Sequence, residues 1–159
     1  MGKLHFGYGS NMWFKQMKKR CPDSKKKGIG ELKDFKWIIS QEEYRGYANI
    51  VESKGDYVRG FVFSISKKDE TRWVSHEDMG LDYYEGCPDS YTKETHKIKL
   101  NGKLQKCMLY IDRERINEGN PEEEYIDRIN YGIKDGLNFR VQKAGKKRTN
   151  DYVRKYIRK

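Results

Sequence analysis

Cysteine is scarce and badly placed for cross-linking. Cys21, Cys87 and Cys107 are odd in number, lie far apart and never fall in C-x-x-C spacing. This excludes a disulfide framework and a zinc site of the usual spacing, and predicts reduced thiols. Long apolar runs are missing as well: no stretch approaches the roughly 18 consecutive apolar residues that a membrane-spanning helix needs, and the N-terminus lacks an apolar leader core. The chain therefore reads as cytoplasmic, with no membrane partner. His5, His76 and His96 are neither spaced as a metal set nor placed beside a Ser or Cys nucleophile, so no metal is expected. Ser10 sits in Gly-Ser-Asn rather than in a Gly-x-Ser-x-Gly elbow, and no catalytic triad can be assembled around it. Internal repeats, linkers and low-complexity segments are absent too.

Aromatic area compensates for what the chain lacks in aliphatics. Hydrophobic residues make up only 35% and charged residues 36%, but 12 Tyr, 6 Phe and 3 Trp supply enough apolar surface to argue against disorder. A length of 159 residues suits one domain, here 1–159, that buries a single core unaided. The net charge is +10 and the pI about 9.4, which raises the question of an anionic partner. Positive charge gathers in Lys15 to Lys27 and in a basic C-terminal helix or tail, 143–159. No RNP-like, zinc-finger or helix-turn-helix signature accompanies either run, so both read as solvated surface and nucleic-acid binding is disfavoured.

Hydrophobic period and turn chemistry then divide the chain. Lys3 to Tyr8 reads as a strand and Met12 to Arg20 as a short helix that Pro22 ends. Lys27 to Leu32 and Asp34 to Ser40 read as strands, as does Tyr57 to Ile65, with a turn at Gly55-Asp56. Ser66 followed by Asp69 is a capping-box start for a helix that runs, broken near Gly80, to Tyr84, where Gly86 stops it. Asn101-Gly102 is a strong hairpin signal between Tyr91 to Leu100 and Lys103 to Ile111. Pro121 followed by three Glu opens a helix to about Asp135, and a last helix spans Asn150 to Ile157. Strands outnumber helices and run mostly in hairpins, so the fold class is α+β: a small mixed, partly closed β-barrel flanked by helices.

The segment Phe6-Gly7-Tyr8-Gly9-Ser10-Asn11-Met12 carries the first chemical hint. It joins a strand to a helix, with Gly9 permitting a close turn and Ser10 or Asn11 placed to cap. Unpaired N–H groups at such a corner favour a carboxylate or a developing oxyanion, though an ordinary strand, turn and cap would read the same way.

Tyr8-Gly9-Ser10-Asn11, Gly46-Tyr47-Ala48-Asn49-Ile50, Val58-Arg59-Gly60-Phe61-Val62 and Leu81-Asp82-Tyr83-Tyr84-Glu85-Gly86 followed by Tyr91 together resemble the ordered signature of the gamma-glutamylcyclotransferase family. Cys107 to Tyr110, Tyr125 to Ile129 and Gly132 to Leu137 are also similar, so the likeness covers nearly the whole chain. The resemblance implies a partly closed barrel and release of an amino acid or amine from a γ-glutamyl group, which closes on itself to give 5-oxoproline without a cofactor. It assigns acid/base work to Glu85, grip on the glutamyl carboxylate and carbonyl to Tyr8, Gly9, Ser10 and Asn11, and the pocket walls to Tyr91, Tyr110 and Tyr125. The implied partner is a small γ-glutamyl substrate, and a homodimer is left open.

Physical reasoning favours Glu85 independently. The α-amino group of such a substrate is protonated at neutral pH, so a base must take a proton before the amine can attack. A carboxylate with a pKa of about 4.3 needs an enclosed site to reach the working range. Asp82, three residues earlier, suits capping or packing better. Arg72 to Met79 is longer than the family's usual approach to the acid, and its path decides whether Glu85 reaches the pocket. The contrasting reading keeps the fold without the chemistry: a binding module whose basic surface holds nucleic acid or a protein partner.

Overall fold

The computed structural model describes residues 2–40, 47–75 and 78–117 and positions 119, 128 and 131. The predicted helices at 121–135 and 150–157, the basic segment 143–159, and His76 and Tyr125 lie outside the described residues.

Strand β1 (Lys3–Gly7) leads through a 3-10 turn (Ser10–Met12) into α1 (Phe14–Arg20). Two long strands follow, β2 (Lys25–Ile39) and β3 (Ala48–Ile65). Then come α2 (Lys67–Thr71), a small hairpin of β4 (Trp73–Ser75) and β5 (Asp78–Met79), α3 (Leu81–Tyr84), and a final hairpin of β6 (Thr92–Leu100) and β7 (Lys103–Ile111). The sheet order is β1-β3-β2-β6-β7, antiparallel except where β7 meets β1 in parallel, His5 opposite Met108, and closes the barrel. Closure gives every strand of the barrel a neighbour on both sides. Phe6, Trp37, Phe63, Ile98, Leu109 and Ile111 are among the buried side chains of its core. Among the described residues, no helix is long and apolar enough to cross a membrane.

Three sequence expectations need correction. The turn at Gly55-Asp56 is part of one continuous β3, and the two strands expected over residues 27–40 are one β2. Asp34 (φ 65°) in β2 and Gly55 (φ 86°) in β3 bend together across a register shift. The Gly55 N–H donates to Asp34 Oδ1 at 3.0 Å. A bulge paired with a compliant glycine coils a long ladder without ending it. The expected helix over residues 66–84 is likewise three pieces. The capping box forms as predicted, but Arg72 turns extended (ψ 133°) and Trp73 and Val74, an aromatic and a β-branched residue, enter the β4–β5 hairpin.

Gly60 explains one element of the signature. A Cβ there would lie 2.2 Å from the Gly7 carbonyl oxygen, so only glycine lets β3 approach the end of β1 this closely. That approach fixes the start of the loop following β1.

Candidate active site

The loop is held by its main chain. The Trp37 indole donates to the Tyr8 carbonyl at 2.8 Å, and the Tyr8 hydroxyl donates to the Tyr110 carbonyl at 2.6 Å. Both contacts are buried. The Met12 and Trp13 amides donate back to the Gly9 and Ser10 carbonyls, so the amides ahead of them face out of the first turn, where no helical carbonyl precedes to accept them. The side-chain cap expected from Ser10 or Asn11 does not form, because α1 starts later, with Trp13 as its cap residue. Ser10 Oγ instead accepts from Gln16 at 2.9 Å. Asn11, buried, donates through Nδ2 to Glu85 Oε1 at 3.0 Å, and its Oδ1 accepts from Arg20 at 2.9 Å. The amide thus relays a guanidinium to a carboxylate without placing them in contact.

Glu85 closes α3. Its N–H donates to the Leu81 carbonyl at 2.9 Å, and Gly86 follows with φ 62°. The left-handed backbone at Gly86 favours glycine at the corner that aims Glu85, where a Cβ would also crowd the Ser90 side chain at 3.0 Å. Burial raises the Glu85 carboxyl above its ordinary range, with the Arg20 charge and the Asn11 hydrogen bond acting against it. Arg20 also lies over the Tyr84 ring, 4.3 Å from its centroid. The long approach from Arg72 therefore delivers Glu85 to the loop it was expected to meet.

Asp82 has different company. Its two oxygens accept from Tyr110 at 2.6 Å and from Lys93 at 3.0 Å. Lys93 continues to Glu70 at 2.9 Å, and Lys3 reaches the same carboxylate at 3.1 Å. Burial and the hydrogen bond to Asp82 keep the Tyr110 hydroxyl protonated. The three thiols are all raised, chiefly by burial: Cys21 to about 12, Cys107 to about 11, and Cys87, beside Glu85, in the same direction. Each is a poor nucleophile. His5, packed edge-on against Tyr110 at 5.8 Å, is lowered by burial to about 4 and is neutral.

A cavity of about 1040 Å³ opens over this corner. Among the residues assigned from sequence, Tyr8, Gly9, Ser10, Asn11, Glu85, Tyr91 and Tyr110 line it; Tyr125 lies outside the described residues. Tyr91 presents its ring there while its hydroxyl donates to the Ala48 carbonyl at 2.6 Å. Three guanidinium groups also line it, from Arg20, Arg115 and Arg128, none of which sequence reasoning singled out. Arg20 was counted within a solvated basic run. Its signal was available in hindsight: nine positions beyond Asn11, at the end of α1, it returns to the loop that starts the helix. Arg115 is set by Asp112, whose Oδ2 accepts from it at 2.9 Å, and that turn is pinned by Asn49 donating to the Asp112 and Arg115 carbonyls at 2.9 and 3.0 Å. Arg128 donates to Gln16 at 3.1 Å. The Arg128 contact has no local sequence signature, whereas Asp112 and Arg115 are a pair three residues apart whose spacing was available in the sequence.

The site thus offers one carboxylate of raised pKa, a neutral amide relay, outward-facing amides and a cationic surround. This arrangement suits proton transfer on an anionic guest with charge developing at a carbonyl oxygen. Among the described residues, no group of three or more His, Cys, Asp and Glu is placed to hold a metal ion.

Comparison with known proteins gives a consistent answer. Residues 5–131 match the family described as gamma-glutamyl cyclotransferase, AIG2-like. A curated relative from Bos taurus, gamma-glutamylcyclotransferase, is 29% identical over 148 residues, covering 88% of this chain and 75% of that protein. A solved structure titled gamma-glutamyl cyclotransferase superposes with a TM-score of 0.76 at 22% identity, covering 96% of this chain and 86% of its own. An uncharacterized protein from Homo sapiens follows with a TM-score of 0.75 at 24% identity, covering 95% and 86%. At these identities the two structures establish a shared fold.

Proposed function

Since this chain belongs to the gamma-glutamyl cyclotransferase, AIG2-like family, we propose that it releases an amino acid or amine from a γ-glutamyl substrate by intramolecular cyclisation to 5-oxoproline. The observation that carries this reading is the Glu85 carboxyl, raised by burial and held 3.0 Å from Asn11 in a cavity whose other charged walls include arginines.

The chemistry follows from that carboxyl. Glu85 in its charged form takes a proton from the substrate's α-ammonium group. The freed nitrogen attacks the γ-carbonyl carbon of the same molecule, a C–N bond forms, and the carbonyl oxygen becomes an oxyanion near the Gly9 and Ser10 amides. As the oxyanion collapses, the bond to the leaving nitrogen breaks and protonated Glu85 returns its proton to that nitrogen. The second proton that the attacking nitrogen sheds to become the lactam N–H passes through the same carboxyl to the released amine, which departs as an ammonium group. Two protons thus move from the α-nitrogen to the leaving nitrogen, with no water or cofactor consumed. One carboxyl serves both steps only if its pKa lies between those of ordinary acids and amines, which is the direction burial gives it. The α-carboxylate of the substrate has the guanidinium groups of Arg115 and Arg128 within the same cavity. Nucleophile and electrophile share one molecule, so holding it curled exploits effective molarities of ~10⁵ M or more.

The direct test is to incubate the protein with a panel of γ-glutamyl amino acids and γ-glutamylamines and follow 5-oxoproline. Product from at least one compound supports the reading. None from any of them removes it.

A further inference from the structure

The glutamyl half of that substrate is small and carries two charges, and the polar end of the cavity belongs to Asn11, Arg20 and Glu85. The group released on cyclisation must extend towards another wall. Tyr83 and Tyr84, just ahead of Glu85, both line the cavity and remain 42% and 38% exposed. Their rings meet edge to face at 5.8 Å, and Trp73 meets Tyr83 in the same way at 5.5 Å. Trp73 itself is 68% exposed. A run of aromatic surface therefore leads from the catalytic acid to the outside of the molecule. Contiguous exposed apolar surface of this kind, continuous with a polar pocket, marks a ligand contact.

The ledge is held rigidly from beneath. Arg72 donates to Asp78 at 2.5 Å and to the Arg20 and Met79 carbonyls at 3.2 Å, tying the β4–β5 hairpin to the end of α1. A Cβ at Gly80 would lie 2.4 Å from the Asp69 carbonyl oxygen, so hairpin and α2 are in direct backbone contact. Exposed rings on a fixed base bind without a large ordering cost.

We propose that Trp73, Tyr83 and Tyr84 form the leaving-group subsite, and that it selects γ-glutamyl conjugates whose released amine carries an aromatic or other large apolar group. The proposal rests on the cyclotransferase reading and deepens it by naming the half of the substrate that the glutamyl chemistry leaves open. The ledge makes and breaks no bonds. It binds the leaving group equally before and during reaction, so its effect falls mainly on KM.

The test compares γ-glutamyl-phenylalanine with γ-glutamyl-glycine by 5-oxoproline release. The expected result is a kcat/KM at least ~10-fold higher for the phenylalanine compound. Trp73→Ala should shrink that preference about 3- to 10-fold, chiefly through KM, and Trp73→Phe should restore most of it. Equal use of the two compounds, or a preference untouched by Trp73→Ala, overturns the proposal. So does a wild-type dimer in gel filtration that Trp73→Ala converts to a monomer, because the ledge would then belong to a second copy of the chain. If neither these compounds nor any other γ-glutamyl compound of the panel yields 5-oxoproline, the cyclotransferase reading fails on its own. The two dissociation constants measured calorimetrically on Glu85→Gln still decide the ledge, tighter binding of the phenylalanine compound supporting it and equal binding overturning it.

Discussion

Glu70 is fully buried and Glu85 partly buried at the cavity, and the two carboxyls shift in opposite directions. Burial would raise both. At Glu70 the hydrogen bonds and charges of Lys93 and Lys3 outweigh it and hold the carboxyl below its ordinary range. At Glu85 the opposing influences are a guanidinium one residue removed and a neutral amide, and burial prevails. The side chain of Glu70 has no exposed surface, and it fastens β1, α2 and β6 together through two ammonium groups. Glu85 faces a cavity and, among the described residues, accepts its side-chain hydrogen bond from Asn11. A buried acid with direct cationic partners locks structure, whereas one left mainly to burial can accept and return a proton.

The comparison can be broken most severely at Glu85. Glu85→Gln should lower the rate of 5-oxoproline formation by about 10² to 10⁴ with the melting temperature nearly unchanged, measured by turnover beside thermal unfolding. Turnover at the wild-type rate would remove Glu85 as the base. The corresponding change at Glu70 should do the reverse: Glu70→Gln removes the anion that Lys3 and Lys93 share, leaving Lys93 only its pair with Asp82, and should cost about 2 kcal/mol of stability in denaturant unfolding, with kcat within about twofold.

A pH series sharpens the contrast. Glu70, depressed in the folded state, contributes stability that is present above its unfolded pKa of about 4.3 and is lost as pH falls through the lower folded value. The gap in stability between wild type and Glu70→Gln should therefore close on acidification below about pH 4. Glu85, raised in the folded state, contributes relative stability that is present below the unfolded value and lost as pH rises through the folded one. Activity should rise over that same upper interval as the base becomes charged, so the rising limb of kcat/KM should sit above the ordinary carboxylate range. A limb at or below that range would contradict the raised Glu85. The smallest effect is expected from Lys3→Met, because Lys3 is 48% exposed and water screens its pair: a loss of about 1 kcal/mol or less, with activity unchanged.

Local signals were strongest where the chain's short-range chemistry decides the outcome. Asn101-Gly102 adopts positive φ at both residues and closes the β6–β7 hairpin, and Ser66 and Asp69 form their capping box. Signals of the same kind misled where a partner strand or helix intervened. Gly55 looks like a turn until Asp34 stands opposite it and makes the pair a bulge. The stretch from Arg72 to Met79 looks helical until Gly80 packs against the Asp69 carbonyl. At the site, Glu85 and the loop from Tyr8 to Asn11 were legible. Arg20 and Arg128 were not, since each is placed by a side-chain contact with no fixed spacing in sequence, and Arg115, paired locally with Asp112 three residues before it, was not singled out because only the packing of that turn brings it to the cavity.

By itself the sequence determined the β6–β7 hairpin, the glycine that stops α3 at Gly86, and the family to which the signature residues point. These depend on backbone conformation and ordered spacing, which a linear chain displays directly. Only the tertiary structure decided the surroundings of the two neighbouring acids. Asp82 and Glu85 differ little as residues, but Lys93 and Tyr110 engage the first, while Asn11 meets the second inside a cavity. A carboxyl's pKa is set by the charges and solvent around it, and those arrive from strands and helices distant in the chain.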